Sequence, residues 1–160
     1  MDGATDEHGN IALERSECLA LLGSVAMGRL VHTANALPAV WPLNFVLLPD
    51  AVYLLTSRGS PAWQAADAGA VVAFQADDVD VQGRYGWSVV VIGSTSLVSD
   101  PVSLRRLRDV VPPPWAQQLR ASGLAQVCEE VVRIPLELVD GRRAGAAVQV
   151  PHDRPVPTAR

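Results

Sequence analysis

The amino-acid sequence predicts a mainly β fold, an antiparallel β-barrel with a few peripheral helices. Six apolar segments are rich in strand-forming residues, and most are bounded by turn residues, as strands are. The chain lacks the continuous alternation of strands and helices that builds parallel sheets, because only one short helix separates the third strand from the fourth. It also lacks the glycine-rich fingerprint of a dinucleotide-binding domain. The strand pattern by itself does not distinguish a barrel from a sandwich.

Individual residues refine the expected order of elements. Pro42 cannot donate a backbone hydrogen bond, so its strand should be an edge strand, bulged or bent. Gly93 lies inside a long strand and predicts a bulge or a tight corner. The strand at 70–76 is apolar on both faces, which predicts a central position. Strands are expected at residues 25–33, 39–47, 51–56, 70–76, 87–98 and 129–139, and helices at residues 16–23, 60–67, 102–110 and 115–122.

Length and composition predict one globular domain. The chain has 160 residues, of which 49% are hydrophobic, enough to bury a core. We expect this domain to span residues 13–148, between a flexible lead-in at residues 1–12 and a flexible tail at residues 149–160. No apolar run approaches the roughly 20 residues of a membrane helix, and the acidic N-terminus is unlike a secretory signal, so we expect a cytoplasmic protein. The net charge of −4 argues against a nucleic-acid partner.

Several chemistries find no support in the sequence. All 13 basic residues are arginines, so no lysine is available for a Schiff base. His32 is the one histidine within the expected core, and no metal-ligand spacing surrounds it. The aspartates of residues 77–80 lack the glycine and the distal glutamate of a calcium loop, and we expect them in a solvated connection. Cys18 and Cys128 lie far apart among apolar residues, which predicts buried free thiols.

The segment 51–66 combines a buried strand, a polar turn and a helix start. Its turn, Thr56-Ser57-Arg58-Gly59-Ser60, offers three hydroxyls, a guanidinium and a glycine that permits close backbone approach. Ser60 occupies the position of a helix N-cap and Pro61 that of the first helical residue. The N–H groups at a helix start attract anions. Two interpretations remain open for the turn, a phosphate-binding site and an ordinary capped helix.

Five short fragments follow one another along the chain: Gly28-Arg29-Leu30, Pro42-Leu43-Asn44-Phe45, Thr56-Ser57-Arg58-Gly59-Ser60, Val72-Ala73-Phe74 and Gly86-Trp87-Ser88-Val89. In this order they resemble the pyridoxamine 5′-phosphate oxidase-like family of FMN-binding split β-barrels. The resemblance covers residues 13–143 and is closest to the small bacterial, nitroimidazole-reductase-like members. It implies a six-stranded antiparallel split barrel that forms a homodimer, with two FMN molecules in grooves between the subunits.

The resemblance also implies roles for particular residues. The strand-to-helix turn holds the flavin phosphate in this family, and the strand before it lies along the isoalloxazine ring. The strand that begins at Trp87 reaches the flavin from the partner subunit. The implied cofactor-binding residues are Leu43, Asn44 and Phe45 at the ring, Thr56, Ser57 and Ser60 at the phosphate, and Trp87 and Ser88 from the partner.

One departure from the family pattern concerns charge. Family members carry basic residues just after the turn, where this chain has Pro61 and Ala62. Without such residues the protein lacks a hydrogen bond to the ionised phosphate, and a bond of this kind contributes about 1.5–3 kcal/mol. Arg58 is the nearest substitute, and Arg29 or the pair Arg142-Arg143 are others. The alternatives to FMN are the deazaflavin F420, haem or no cofactor.

Two functions therefore stay open at the level of sequence. The first is an FMN- or F420-dependent oxidoreductase that acts on a small planar substrate. The second is a non-catalytic split-barrel protein that binds a flavin, F420 or haem for storage or sensing. No catalytic side chain is assigned for either function, since a flavin performs the hydride chemistry itself.

Overall fold

The computed structural model describes residues 9–80, 82, 85–110 and 130–144, which form two antiparallel sheets and three helices. The predicted mainly β architecture is confirmed, and its arrangement fits a split barrel. No described helix is long and apolar enough to cross a membrane. The elements are β1 (Ile11–Ala12), α1 (Arg15–Leu22), β2 (Met27–Ala34), β3 (Leu37–Asn44), β4 (Val46–Leu47), β5 (Ala51–Thr56), α2 (Pro61–Asp67), β6 (Val71–Val79), β7 (Gly86–Ser94), β8 (Ser96–Leu97), α3 (Pro101–Val110), β9 (Glu130–Pro135) and β10 (Leu138–Ala144).

The strands are divided between a large sheet and a small sheet. The large sheet has the order β1-β10-β7-β6-β2-β3, and the small sheet has the order β4-β5-β9-β8. β6 lies between β7 and β2, so its predicted central position is confirmed. β3 is the edge strand that Pro42 predicts. The hairpin expected from the second and third predicted strands is formed by β4 and β5, where Val46 pairs with Tyr53.

Three of the predicted strands are each divided into two. The breaks fall at Phe45, at Thr95 and at Leu136–Glu137, and at each break the chain passes from one sheet to the other. The chain therefore turns the barrel corners inside what sequence patterning predicts as single strands. Near the second break, a Cβ on Gly93 would lie 2.4 Å from the carbonyl oxygen of Pro135, so this glycine permits a close approach of β7 to β9.

The core lies between the two sheets and is completed by α1 and α2. Phe74 is fully buried, and its ring meets that of Phe45 edge to face with centroids 4.8 Å apart. A Cβ on Gly28 would lie 2.3 Å from the ring of Phe74, so the absence of a side chain on β2 makes room for this aromatic ring. Other fully buried side chains of the core include Leu22, Leu30, Val52, Leu54, Val89, Val91, Val132 and Ile134.

Some predicted boundaries differ from the structure. Asp77, Asp78 and Val79 extend β6 rather than beginning a loop, because they pair with residues 86–88 of β7. Helix α1 begins at Arg15, one residue before the predicted Ser16 cap, and the Glu17 carboxylate accepts a hydrogen bond from the backbone N–H of Glu14. The final strand continues to residue 144, five residues beyond its predicted end.

The termini remain largely predictions. Within the expected lead-in, Ile11 and Ala12 pair with Arg143 and Arg142 of β10 and so form the edge of the large sheet. The predicted helix at 115–122, Cys128 and the tail at 149–160 lie outside the described residues.

A polar cluster on the small sheet ties β5 to β9. Asp50 Oδ2 accepts hydrogen bonds from the Tyr53 hydroxyl at 2.9 Å and from Nε and Nη2 of Arg133, both at 3.2 Å. Partial burial opposes ionisation of the carboxyl, but these hydrogen bonds outweigh it, so the pKa of Asp50 lies below its ordinary value. The cluster therefore stabilises the fold only while Asp50 is ionised.

The stability supplied by this cluster should depend on pH. Because the pKa of Asp50 is lowered on folding, its contribution is present above the ordinary carboxyl pKa and is lost as the pH falls through the folded-state value. Asp50→Asn should lower the thermal unfolding midpoint at neutral pH, and the gap from the wild type should close in acid. Asp78→Asn, at an exposed aspartate of β6, is the matched control. A gap that is constant with pH would contradict this assignment.

Candidate functional site

The turn between β5 and α2 is held by a pair of hydroxyls. Thr56 Oγ1 and Ser60 Oγ lie 2.6 Å apart, and Ser60 Oγ also accepts a hydrogen bond from the backbone N–H of Trp63 at 3.1 Å. The predicted cap at Ser60 and the predicted helix start at Pro61 are thereby confirmed. The two hydroxyls carry two hydrogens, and the bond between them uses one. The other remains available to an acceptor outside the protein, such as a phosphate oxygen.

Arg58 supplies the positive charge of this turn. Its guanidinium lies over the indole ring of Trp63, with 5.6 Å between the guanidinium carbon and the ring centroid. Gly59 has a φ of +80°, a conformation that favours glycine, and it reverses the chain between Arg58 and Ser60. Ala62 is buried in the core. A long basic side chain at that position would enter the apolar interior, so the structure explains why residue 62 carries no charge here.

The end of β3 presents a buried acceptor beside this turn. Asn44 Nδ2 donates to the carbonyl of Ala26 at 3.0 Å, whereas Asn44 Oδ1 is buried and has no hydrogen-bond partner among the described residues. The pairing of Val46 with Tyr53 brings the end of β3 alongside the end of β5, and the two strands are in contact. A buried acceptor without a donor costs about 1–3 kcal/mol, which a ligand N–H group in this position would offset.

The neighbours of Asn44 in sequence face the interior. Phe45 is buried and packs against Phe74, so its side chain belongs to the core rather than to an open site. Leu43 is partly buried and packs against the same core. Of the three residues predicted to lie along a flavin ring, Asn44 is the one whose side chain offers an unsatisfied polar atom.

Trp87 and Ser88 are among the residues that line a groove of about 520 Å³ on the large sheet. Gln75 organises its polar side, since its Nε2 donates to Asp77 Oδ1 at 2.7 Å and to Ser88 Oγ at 3.2 Å. Trp87 also packs against the edge of the core. The residues that line the groove are Asn10, Arg29, Gln75, Asp77, Val79, Gly86, Trp87, Ser88, Arg142 and Ala144.

The predicted site residues therefore form two groups within one chain. The first group consists of the turn at residues 56–60 and of residues 43–45 at the end of β3. The second group is Trp87 and Ser88, which line the groove; no residue of the first group lines it. Sequence patterning missed Asp77 because it placed the chain after residue 76 in a loop, and it missed Gln75 because it took the strand at 70–76 as apolar on both faces. Their spacing of two residues in β6 puts both side chains on one face of the sheet, a pattern that was visible in the sequence.

Among the described residues, the remaining reactive side chains are not grouped into a second catalytic or metal site. Burial, with smaller contributions from the charges of Asp140 and Glu17, raises the pKa of the Cys18 thiol and favours its neutral form. The predicted free, buried state of Cys18 is confirmed. His32 Nδ1 is buried without a hydrogen-bond partner in the described part of the chain. The same residues contain no cluster of three or more potential metal ligands.

Comparison with known proteins places this architecture in a family. Residues 14–143 match the family model described as pyridoxamine 5′-phosphate oxidase. An uncharacterized protein from Mycobacterium tuberculosis is 39% identical over 145 residues, which cover 88% of this chain and 90% of that protein. This similarity extends well beyond the quoted fragments to nearly the whole domain.

Two solved structures are similar as well. An FAD-binding protein from Mycobacterium smegmatis is 30% identical, with a TM-score of 0.63 over 84% of this chain and 98% of that one. An FAD-binding protein from Mesorhizobium loti is 25% identical, with a TM-score of 0.70 over 85% of this chain and 99% of that one. The match to the family model and the identity to these relatives show that the chain belongs to the pyridoxamine 5′-phosphate oxidase family.

Proposed function

We propose that this protein binds a flavin nucleotide at the β5–α2 turn and acts as an oxidoreductase on a small planar substrate. The observation that carries the proposal is the buried Oδ1 of Asn44, which has no partner among the described residues and lies on a strand in contact with β5, the strand that leads into the hydroxyl-rich turn. An isoalloxazine ring has an imide N–H, which is the kind of donor that this oxygen lacks. Two relatives that are 30% and 25% identical bear the name of FAD-binding proteins, which supports a flavin over F420 or haem.

The residues of the turn would hold the phosphate end of the flavin. The hydroxyl pair of Thr56 and Ser60 has one hydrogen to donate to a phosphate oxygen, and Ser57 lies between Thr56 and Arg58 in the turn. Arg58 would supply the positive charge that Pro61 and Ala62 lack. When bound, the flavin supplies the hydride chemistry, while these residues fix its position.

The choice between FMN and FAD is a further part of the proposal. FMN is expected from the resemblance, and the names of the two relatives point to FAD. Both nucleotides share the isoalloxazine ring and the phosphate next to the ribityl chain, so the turn and Asn44 would make the same contacts with either. Separate titrations of the purified protein with FMN and with FAD identify the preferred nucleotide.

We further propose that two copies of the chain form a homodimer through the outer face of the large sheet. By strand alternation, five exposed apolar side chains share this face, on strands β2, β3, β6 and β10. An apolar face of this kind is typical of a protein interface. In the dimer, Trp87 and Ser88 of one subunit would face the flavin of the other. The five side chains are Met27, Val40, Val71, Val79 and Leu138.

The dimer should be sensitive to charge on this face. We expect a dimer by light scattering at micromolar concentration, and Val79→Asp should shift it towards monomer because it would bury a carboxylate at the interface. Val102→Asp on α3, at a valine that is equally exposed, is the matched control and should leave the dimer intact. A wild-type monomer, or equal effects of the two variants, would contradict the shared-groove arrangement.

Turnover tests the catalytic half of the proposal. The visible absorption of the bound flavin should be bleached by a reduced nicotinamide donor and should return when a planar nitroaromatic acceptor is added. Binding of flavin without this cycle would instead favour the non-catalytic function. A protein that shows no change in melting temperature with FMN, FAD or F420 would contradict both the cofactor and the activity.

A further inference from the structure

A row of polar side chains crosses four strands on the outer face of the large sheet. Arg29 on β2 pairs with Gln75 on β6, Asp77 pairs with Ser88 on β7, and Ser88 pairs with Arg142 on β10. Because cross-strand partners lie on the same side of a sheet, all five side chains face the groove that Trp87 lines. They form its polar side.

Arg29 is held in this row by one of its nitrogens. Its Nη1 donates to Gln75 Oε1 at 3.2 Å and to Asp77 Oδ1, and Gln75 in turn is anchored to Asp77 and Ser88. Its Nε and Nη2 make no hydrogen bond to the described residues, and half of its side chain is exposed. These two nitrogens form the planar fork that binds a carboxylate through two parallel hydrogen bonds. Within one chain the fork is therefore positioned and open.

The charge and shape of the groove indicate the kind of ligand. Its two arginines, Arg29 and Arg142, are each paired with an aspartate on the same face, Asp77 and Asp140. These charges balance, so it is the two unused nitrogens of the Arg29 fork, and not the net charge of the groove, that favour an anion. Val79 supplies the apolar part of the groove on this face, whereas Trp87, next to Ser88 in β7, lies on the opposite face and packs against the core.

The groove also adjoins the proposed flavin position. Met27 pairs with Asn44, and Arg29 lies two residues further along β2 on the same face. A molecule bound to the Arg29 fork would therefore lie on the same face of the sheet as the unpartnered oxygen of Asn44.

We propose that this groove recognises the substrate and selects planar molecules that carry a carboxylate, with the Nε–Nη2 fork of Arg29 as the partner of that carboxylate. Gln75 and Asp77 are positioning residues that hold the fork. The identification of this ligand as the substrate rests on the proposed function, whereas the binding of the anion does not.

Two probes that differ in one group test the proposal. Calorimetry with the full chain should show that para-nitrobenzoate binds at least about tenfold more tightly than nitrobenzene, as a charge-assisted, bidentate contact implies. Arg29→Gln should abolish this preference, and Arg29→Lys should restore part of it. Gln75→Leu should weaken the binding of para-nitrobenzoate and leave the binding of nitrobenzene unchanged. Arg106→Gln, at an exposed arginine of α3 outside the groove, should change nothing.

The outcomes separate this proposal from the flavin site. Equal affinities for the two probes, or an unchanged preference in Arg29→Gln, would overturn it. A loss of FMN binding with riboflavin binding retained in Arg29→Gln would assign Arg29 to the flavin phosphate and would overturn it as well. A wild-type protein that discriminates between the probes through Arg29 but binds no flavin would support the anion site and contradict the proposed function.

Discussion

Replacing Ser60 by aspartate is expected to weaken FMN binding by about 100-fold while leaving riboflavin binding nearly unchanged. The aspartate removes a hydroxyl that can donate to the phosphate and puts a negative charge in its place. Aspartate is nevertheless a good N-cap, so it can accept the hydrogen bond that Trp63 N–H gives to Ser60 in the wild type. The variant therefore separates the phosphate role of the turn from its role as a cap.

Two further variants complete this test. Ser60→Ala should lower the stability of the protein by about 1 kcal/mol, because the cap is lost. Ser57→Ala combined with Ser60→Ala should weaken the binding of FMN far more than the binding of riboflavin. Fluorescence titrations with the two flavins, and thermal unfolding of each variant, provide the measurements. Equal losses for FMN and riboflavin would show that the turn is only a helix cap.

The largest effect on stability is expected at Phe74. Phe74→Ala should lower the free energy of unfolding by about 3–5 kcal/mol, since the ring is fully buried and contacts Phe45. The substitution should also change how much stability is lost when a methyl group is added at residue 28 of β2. Gly28→Ala should destabilise the wild type, because its Cβ would lie 2.3 Å from the ring of Phe74, and should cost less once that ring is absent.

Chemical denaturation of the two single variants and the double variant measures this coupling. Additive losses of stability would show that the ring of Phe74 does not restrict residue 28, contrary to the packing described. The carbonyl of Gln75 lies 2.9 Å from the same Cβ position, so a small cost should remain in the double variant.

Most of the barrel could be predicted from the sequence because its strands carry strong local patterns. The segment 51–56 matches β5 at both ends, and Ser60-Pro61 marks the start of α2. Pro42 predicted an edge strand, and β3 is one, although the break in this segment falls at Phe45 rather than at the proline. Local chemistry was sufficient wherever a cap, a proline or an apolar run determined the outcome.

The sheet assignments could not be predicted in the same way. At Phe45, Thr95 and Leu136–Glu137 the chain moves between sheets, and at the last two breaks the new pairing partners lie far away in sequence. At Thr95, for example, the backbone N–H and the hydroxyl both donate to the carbonyl of Ala70. Such long-range contacts leave no periodic pattern in the local sequence.

The candidate site, too, could be predicted from the sequence only in part. The turn was singled out from its hydroxyls and its helix cap, and the Asn44 strand through the family resemblance. The structure adds that Asn44 Oδ1 lacks a partner among the described residues and that Ala62 is buried. The groove network depends on β6 extending through Asp77, which the acidic sequence at 77–80 concealed. A polar residue at every second position of a strand can indicate a functional face even where the composition suggests a loop.

The most direct test of the account is the visible absorption spectrum of the purified protein before and after incubation with FMN or FAD. We expect a yellow protein that retains one flavin per chain through gel filtration and whose melting temperature rises with the bound nucleotide. A colourless protein that retains neither nucleotide, with an unchanged melting temperature, would contradict the assignment of the turn at Thr56–Ser60 as a flavin phosphate site.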